Sequence, residues 1–431
     1  MFDVRRFVEA APLGDKRRNE RALELVTELI QGGEPGAADH VHVPGEAQVW
    51  AHTVGRFRFC SNPDILLPNL YEPCRVALAE LLPRSSRAYV IYDVSLVDYS
   101  HHKAKLDRIR IGNKYGSGYE LFSALVLDEQ GRPLGPVMQE LRTAQGCLSS
   151  EASTPFPFVD HFSQVERASR AAHFHLPDRD LVEVMDREFD DVALQRWLGE
   201  SSKKYVIRAH HLGRRVLLHG RATVLRYAVR AARRYVIGTV KRDDETYEMR
   251  VAKALVTFHG RAWRGYKRGQ APRTGKLLPV RVVIVELYYR GRRAHPWVLL
   301  TNLDEPPEHF ARIYAWRWRV ERLFFLLMEL WGEHSGDRIA RRLALSSLAA
   351  MALYQLQSAE PDPVHRGLRR RIATIGGWLG RKRDPIGPIV LMRGMLRILN
   401  PRHAGCHASG SAARQPDRGR SNPGRTCGGR N

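Results

Sequence analysis

The stretch Tyr314–Leu330 reads YAWRWRVERLFFLLMEL. It has no Gly or Pro and many good helix formers, so it predicts a helix. At 100° per residue, Tyr314, Arg317, Glu321 and Met328 fall within about 60° of one another and share one stripe. The other faces carry Trp316, Val320, Leu323, Phe324, Leu326, Leu327 and Trp331. A helix apolar on most sides belongs in a core. A charged stripe on such a helix needs a partner or a cleft, because an unpaired buried charge is costly. Two readings follow: Arg317 and Glu321, at i and i+4, simply pair, or the stripe faces a site built by the rest of the chain.

The chain has 431 residues, 43% of them hydrophobic, which suits one large domain with additions or two to three domains. The net charge is +23 and the pI about 10.2. The last 31 residues hold six Arg and one Asp, so the excess resides in the body of the chain. A basic globular body implies a polyanionic partner, usually nucleic acid. An acidic membrane surface ranks lower, because no strongly basic amphipathic helix stands out. The five cysteines (Cys60, Cys74, Cys147, Cys406, Cys427) are scattered and form no CxxC pair, which fits a reducing compartment without a zinc module. The N-terminus lacks the apolar core of a signal peptide, and LALSSLAAMALYQL is too short for a membrane span, so a cytoplasmic protein is expected.

Residues 1–80 read as helical and basic, around LGDKRRNERALELVTELI and NPDILLPNLYEPCRVALAELL. RAYVIYDVSLVDYS is a strand around Asp93, and YELFSALVLDEQGRPLGPVMQELRT is strand, turn, strand, giving an antiparallel meander. A helix follows near 161–176, then the short strand DLVEVMD ending at Asp186, with Asp190 and Asp191 opening another helix. Residues 205–300 are β-rich with basic loops. After the helix that carries Glu321 comes a second, SGDRIARRLALSSLAAMALYQL. Residues 359–400 are basic and Gly-punctuated, and 401–431 form a Gly/Ser/Arg/Pro tail expected to be disordered.

Asp93 and Asp186 each follow an apolar strand, at the sheet edge where ligand sites form. Glu321 projects from a core helix. Three hard oxygen donors of this kind suit Mg²⁺ or Mn²⁺, and two such ions promote phosphodiester cleavage. Asp98, Asp190 and Asp191 are rival ligands by the same logic.

The chain resembles the bacterial DDE transposases of the insertion-sequence-4 family, within the retroviral-integrase-like ribonuclease H superfamily. That family's signature is Tyr, two residues, Arg, three residues, Glu, six residues, Lys. YAWRWRVE supplies Tyr314, Arg317 and Glu321, while Met328 stands at the lysine position. IYDVSLVDYSHH and VMDREFD resemble the two aspartate motifs and point to Asp93 and Asp186. LGDKRRNERAL, FRFCSNP and GGWLGRKRDPIGP resemble flanking motifs of the cut-and-paste subgroup.

The resemblance implies an α/β, ribonuclease H-like catalytic domain over 81–358 with a β-rich insertion at about 205–300. Before it would stand a helical DNA-end-binding domain over 1–80, carrying Lys16, Arg17, Arg18 and Arg21. After it would come a basic segment over 359–400, a dimerisation remnant. The implied activity is excision and strand transfer of an insertion sequence with two Mg²⁺ ions, Mn²⁺ substituting. The implied partners are double-stranded DNA, as transposon ends and target, and a second copy of the chain in the synaptic complex. Asp93, Asp186 and Glu321 would be catalytic, Trp297 would stack a flipped base, and Arg208, Tyr314 and Arg317 would contact DNA. The alternatives are a DNA-binding remnant and a metal nuclease on the same fold.

Overall fold

The computed structural model describes residues 3–30, 47–102, 104–112, 116–242, 245–258, 277–293, 296–321, 323 and 335–358. Met328, the segment 359–400 and the tail 401–431 lie outside them.

Among the described residues, the first helices are α1 (Val4–Glu9), α2 (Lys16–Ile30), α3 (Ala47–Ser61) and α4 (Leu67–Leu81). The meander is β1 (Arg87–Asp98), β2 (Ile109–Arg110), β3 (Ser117–Leu127), β4 (Pro133–Thr143) and β5 (Gly146–Ser149). Then follow α5 (His161–His175), β6 (Asp180–Met185), one 3-10 turn at Arg187–Phe189, α6 (Val192–Glu200) and β7 (Lys204–Arg208). The β-rich run holds β8 (Arg215–Leu218), β9 (Arg221–Val224), α7 (Leu225–Ala231), β10 (Tyr235–Arg242), β11 (Glu245–Phe258), β12 (Leu278–Tyr289), β13 (Arg292–Arg293) and β14 (Trp297–Thr301). The last described helices are α8 (Pro307–Trp316) and α9 (Gly336–Ser358).

The described strands join one mixed sheet in the order β5-β4-β3-β1-β6-β7-β14-β12-β11-β8-β9, with β2, β10 and β13 on its flanks. β1, β3 and β4 pair antiparallel, whereas β6 is parallel to β1 and β7 parallel to β6. The parallel crossovers run through α5 and α6, as parallel pairing demands. Period-2 alternation sorts the side chains between two cores. Ala88, Val90, Tyr92, Leu181, Met185, Tyr205 and Ile207 face α5, α6 and the N-terminal helices. Tyr89, Ile91, Val182, Val184 and Val206 face α8. Residues of α1, α2 and α4 share the first core with the sheet instead of closing a core of their own. Buried Gln139 of β4 ties this side together: it accepts from Tyr71 (2.6 Å) and Ser347 (2.7 Å) and donates to Ser123 (2.9 Å).

The structure departs from the sequence reading in three places. β7, read as the start of the insertion, is a core strand parallel to β6 and joins the inserted strands through β14. α7 is a helix inside that β-rich run, because Leu225, Ala228 and Val229 give it a one-sided apolar face that packs on the sheet. The helix expected to start at Tyr314 starts at Pro307, and its hydrogen bonding contracts at Arg317. The Arg317 amide donates to Tyr314 O (3.1 Å), and Val320 to Arg317 O (3.1 Å), both three residues back. Helical winding resumes over 318–321.

The β3–β4 turn packs directly on the end of α8. Gly131 there has φ +73°, and a Cβ on it would lie 2.3 Å from the Trp316 ring. Gly131→Ala should cost about 1–2 kcal/mol for the left-handed backbone and a further 1–3 or so for the ring it displaces. Gly220→Ala, at φ +77° with nothing within 4 Å, should cost only the first part. Urea unfolding of the two variants checks this; equal losses would mean that Trp316 does not rest on the turn.

Candidate active site

The parallel register sets the site. Ile91 lies opposite Val184, and Val184 opposite Val206, all three facing α8. Two residues further along each strand, on the same side, stand Asp93, Asp186 and Arg208. Asp93 is therefore not at the end of its strand, as its sequence context suggests. It sits mid-strand opposite Ser123, one residue past Tyr92, the last partner of β6. Asp186 is the first residue after β6, and its carboxylate caps the following turn by accepting from the Arg187 amide (2.7 Å). Ligand sites of parallel sheets form at these carboxyl ends.

The end of α8 and the residues after it supply the other half. The Tyr314 hydroxyl donates to Asp186 Oδ1 (2.8 Å). Arg317 Nη1 lies 3.3 Å from Asp93 Oδ1 and 3.6 Å from Asp186 Oδ2, and Nη2 donates to Glu321 Oε1 (2.9 Å). One guanidinium, its side chain 6% exposed, thus serves all three carboxylates picked from the sequence. The simple Arg317–Glu321 pair is present, but as one arm of a larger cluster. Glu321 is the most open member, its side chain 35% exposed. Arg208 approaches Asp186 at 3.6 Å and lies 6.0 Å from the Tyr314 ring centre. Trp297, the first residue of β14, meets Tyr314 edge-on at 5.1 Å.

Electrostatics separate the two aspartates. Burial pushes the Asp93 carboxyl up to about 7; Arg317 opposes this, while Glu188, Asp186 and Glu321 add to it. Burial also acts to raise Asp186, but Arg317, the Arg187 amide, Tyr314 and Arg208 outweigh it and hold that carboxyl below its usual value. Burial and then Asp186 keep the Tyr314 phenol protonated, so it is a donor. Burial acts against the charge on Arg317, yet Asp186, Tyr314, Asp93 and Glu321 raise its pKa.

The rival aspartates have other duties. Asp190 accepts from the His210 and His211 amides (2.7 and 3.0 Å) and from Gln195 (3.1 Å), and pairs with Arg214 (2.9 Å). Asp191 caps α6. Asp98 is bound to Ser100. The sequence reading passes over Glu188, two residues past Asp186, whose carboxyl is raised by burial and then by Asp186. Of the N-terminal set, Arg18 is committed to Asp64 (2.7 Å) and Arg21 to Glu24 (2.6 Å), while Lys16 lies 3.7 Å from Glu20. The Arg17 side chain is exposed. The structure brings none of these four to the carboxylates. Cys60, Cys74 and Cys147 are buried thiols. Burial pushes Cys74 up to about 12 and Cys147 up to about 11, which removes both as nucleophiles.

The donors fit a hard divalent cation in kind: buried, mutually repelling carboxylate oxygens. As they stand, the guanidinium lies among them, and no group of three His, Cys, Asp or Glu among the described residues is disposed to hold a metal ion.

Asp93 gives the metal-free protein a pH signature. Below about pH 4, folded and unfolded chains both hold its proton. Between about 4 and 7 the unfolded chain releases it and the folded chain keeps it, so stability falls as pH rises through that window and then levels. The total is on the order of 4 kcal/mol at about 1.4 kcal/mol per pKa unit. Asp93→Asn should gain stability relative to the parent chain between pH 5 and pH 8. Urea midpoints in chelator at the two pH values test this; a constant difference would contradict the burial of an ionising Asp93.

No family model matches the chain, and no curated protein matches it. Among solved structures it is similar to a piggyBac transposase in a synaptic complex with hairpin DNA, at 11% identity and a TM-score of 0.39, over 93% of this chain and 74% of that one. At that score the likeness is too loose to bear on this chain's chemistry.

Proposed function

We propose that the protein is a DNA transposase of the DDE type, cutting and joining phosphodiester bonds with divalent metal ions on a ribonuclease H-like sheet. The observation that carries this reading is the convergence of Asp93, Asp186 and Glu321 on one arginine, beside the carboxyl end of β6 and the middle of β1. The strand order β4-β3-β1-β6-β7, with the first three antiparallel and the last two parallel to β1, supports the ribonuclease H-like assignment. The chain's charge of +23 supports a nucleic-acid substrate. The sequence resemblance supports the transposase within that superfamily.

In this reading Asp93, Asp186 and Glu321 hold the metal, Mg²⁺ or Mn²⁺. When bound, it supplies charge stabilisation to the phosphate and a more acidic attacking hydroxyl. The chain's own groups do the rest. Tyr314 fixes Asp186 Oδ1 by donating to it, so that the carboxylate keeps one orientation. Arg208 and Arg317 provide positive charge at the same end of the sheet, with Arg as the fork that fits phosphate. Trp297, half-buried against Tyr314, offers a π surface for an unstacked base. α2 stands as the proposed contact to the DNA end, with Lys16 and Arg17 its exposed cations. Pairing of two chains on two DNA ends belongs to the same proposal. No helix among the described residues is long and apolar enough to cross a membrane.

The test is strand cleavage and joining on DNA carrying the inverted repeats that flank the coding region. Asp93→Asn, Asp186→Asn and Glu321→Gln should each drop both products below detection in Mg²⁺ while duplex binding persists, since each removes a ligand charge and little shape. Cleavage surviving in excess chelator would end the metal account. Cleavage without joined products would leave the narrower reading, a metal nuclease on the same fold.

A further inference from the structure

Residues 205–242 contain nine arginines and one lysine and not one aspartate or glutamate. Three of the arginines have partners from elsewhere in the chain. Arg208 joins the catalytic row, Arg214 is buried on Asp190, and Arg234 binds buried Glu286 (3.2 Å). Arg215, Arg221, Arg226, Arg230 and Arg233 are exposed, and among the described residues none of them has a carboxylate within ion-pair distance. Elsewhere in this protein, exposed arginines such as Arg5 and Arg170 find an acidic neighbour one helical turn away.

The fold gathers several of these side chains. β8 and β9 form a tight hairpin whose turn residues, His219 and Gly220, both have positive φ (49° and 77°); its register sets Arg221, opposite Leu218, on the Val216 side that packs with α7, and Arg215 on the other side. The chain passes straight into α7, whose first amides donate to Arg214 O and Leu212 O (2.8 Å each). α7 buries Leu225, Ala228 and Val229 against Val216, Ala252, Val282 and Ile284. Its opposite side therefore presents Arg226, Tyr227 and Arg230, with Tyr227 59% exposed. Arg226 and Arg230 lie one turn apart, about 6 Å along the axis. Duplex DNA carries a phosphate every 3.4 Å or so along each strand, so both can meet one backbone.

The side of the sheet matters. In β12, Val282 and Ile284 face α7, whereas Val283 and Val285 face the core that holds Tyr314. This basic surface and the catalytic carboxylates are thus on opposite faces of one sheet. We propose that β8, β9 and α7 form a separate duplex-DNA-binding face, which grips the backbone without reading sequence and leaves the catalytic row free. Arginine in place of lysine favours phosphate, which its planar fork binds in bidentate fashion. DNA is chosen over RNA because of the function proposed above.

The experiment uses the full chain in excess chelator and a random-sequence 30-bp DNA duplex, with binding followed by fluorescence anisotropy across KCl concentrations. Arg226→Ala/Arg230→Ala/Arg233→Ala should weaken binding roughly tenfold or more at low salt and flatten the log–log salt slope by about 2–3, one unit per lost phosphate contact. Arg226→Lys/Arg230→Lys/Arg233→Lys should keep the slope. If the alanine set fails to fold, Arg226→Glu alone carries the test, with the same direction expected. Unchanged affinity and slope would overturn the proposal and leave a solvated arginine face. Stronger competition from duplex RNA or anionic vesicles than from duplex DNA would overturn the choice of partner. The assay contains no divalent metal and reads no cleavage, so this result and that of the catalytic test stand or fall separately.

Discussion

One guanidinium holds the centre of this protein together. Three carboxylates converge where β1, β6 and the end of α8 meet, and among the described residues only Arg317 lies within ion-pair distance of all three. Burying such a cluster is costly unless the charges are paired. Nη1 serves the two strand aspartates and Nη2 serves Glu321, a division that a planar fork allows and a lysine ammonium does not. Everything around it sets that geometry. The β1–β6 register places the two aspartates side by side, Tyr314 fixes one of them, and the contraction of the helix at Arg317 sets where the fork points.

Several elements were legible because their signals are local. The alternation in RAYVIYDVSLVD, the Asp128–Gly131 turn between two apolar runs, and Asp191 before an amphipathic helix each state their own structure. Spacing alone also put Tyr314, Arg317 and Glu321 on one stripe, and the cluster uses all three. What sequence could not state is partnership. Asp98, Asp186, Asp190 and Asp191 look alike on the page, each an aspartate near a strand or helix end. Only the parallel register, a tertiary fact, aligns Asp93 with Asp186, whereas Asp190 turns to the amides of His210 and His211. The same holds for β7, whose apolar run fits a core strand or an inserted one equally well until β6 pairs with it. α7 was hidden by its seven residues, too short for a periodicity to stand out inside a β-rich run.

The inserted strands are not an appendage. β7 and β14 share only three register pairs, yet the joint is stitched by side chains. Thr301 donates to Tyr205 O (2.6 Å), Asn302 donates to Lys203 O (2.7 Å), and the Asn302 oxygen accepts from the Tyr205 amide (3.1 Å). On the other side, Asp190 and Arg214 clamp the loop after β7 to the turn after β6. Arg208 lies between these two fastenings. Its place beside Asp186 is therefore set from both sides of the strand, and Trp297 enters the site from the same joint.

Charge explains why such a centre would couple cation and nucleic acid. Three carboxylates facing one arginine carry a surplus of negative charge once all ionise; burial first, and then the neighbouring carboxylates against the pull of Arg317, raise the Asp93 pKa. Retaining a proton on Asp93 relieves the surplus in the metal-free state. A phosphate entering alone would add negative charge to a site that already resists it, whatever the attraction of the basic surface further out. A divalent cation held by Asp93, Asp186 and Glu321 would offset that negative charge, and Arg317, whose fork suits phosphate, would then be the chain's own group for a phosphate oxygen. In the proposed reading, productive DNA binding at the catalytic row would thus be conditional on the cation, while binding at the arginine face across the sheet, whose exposed arginines have no carboxylate within ion-pair distance among the described residues, would not.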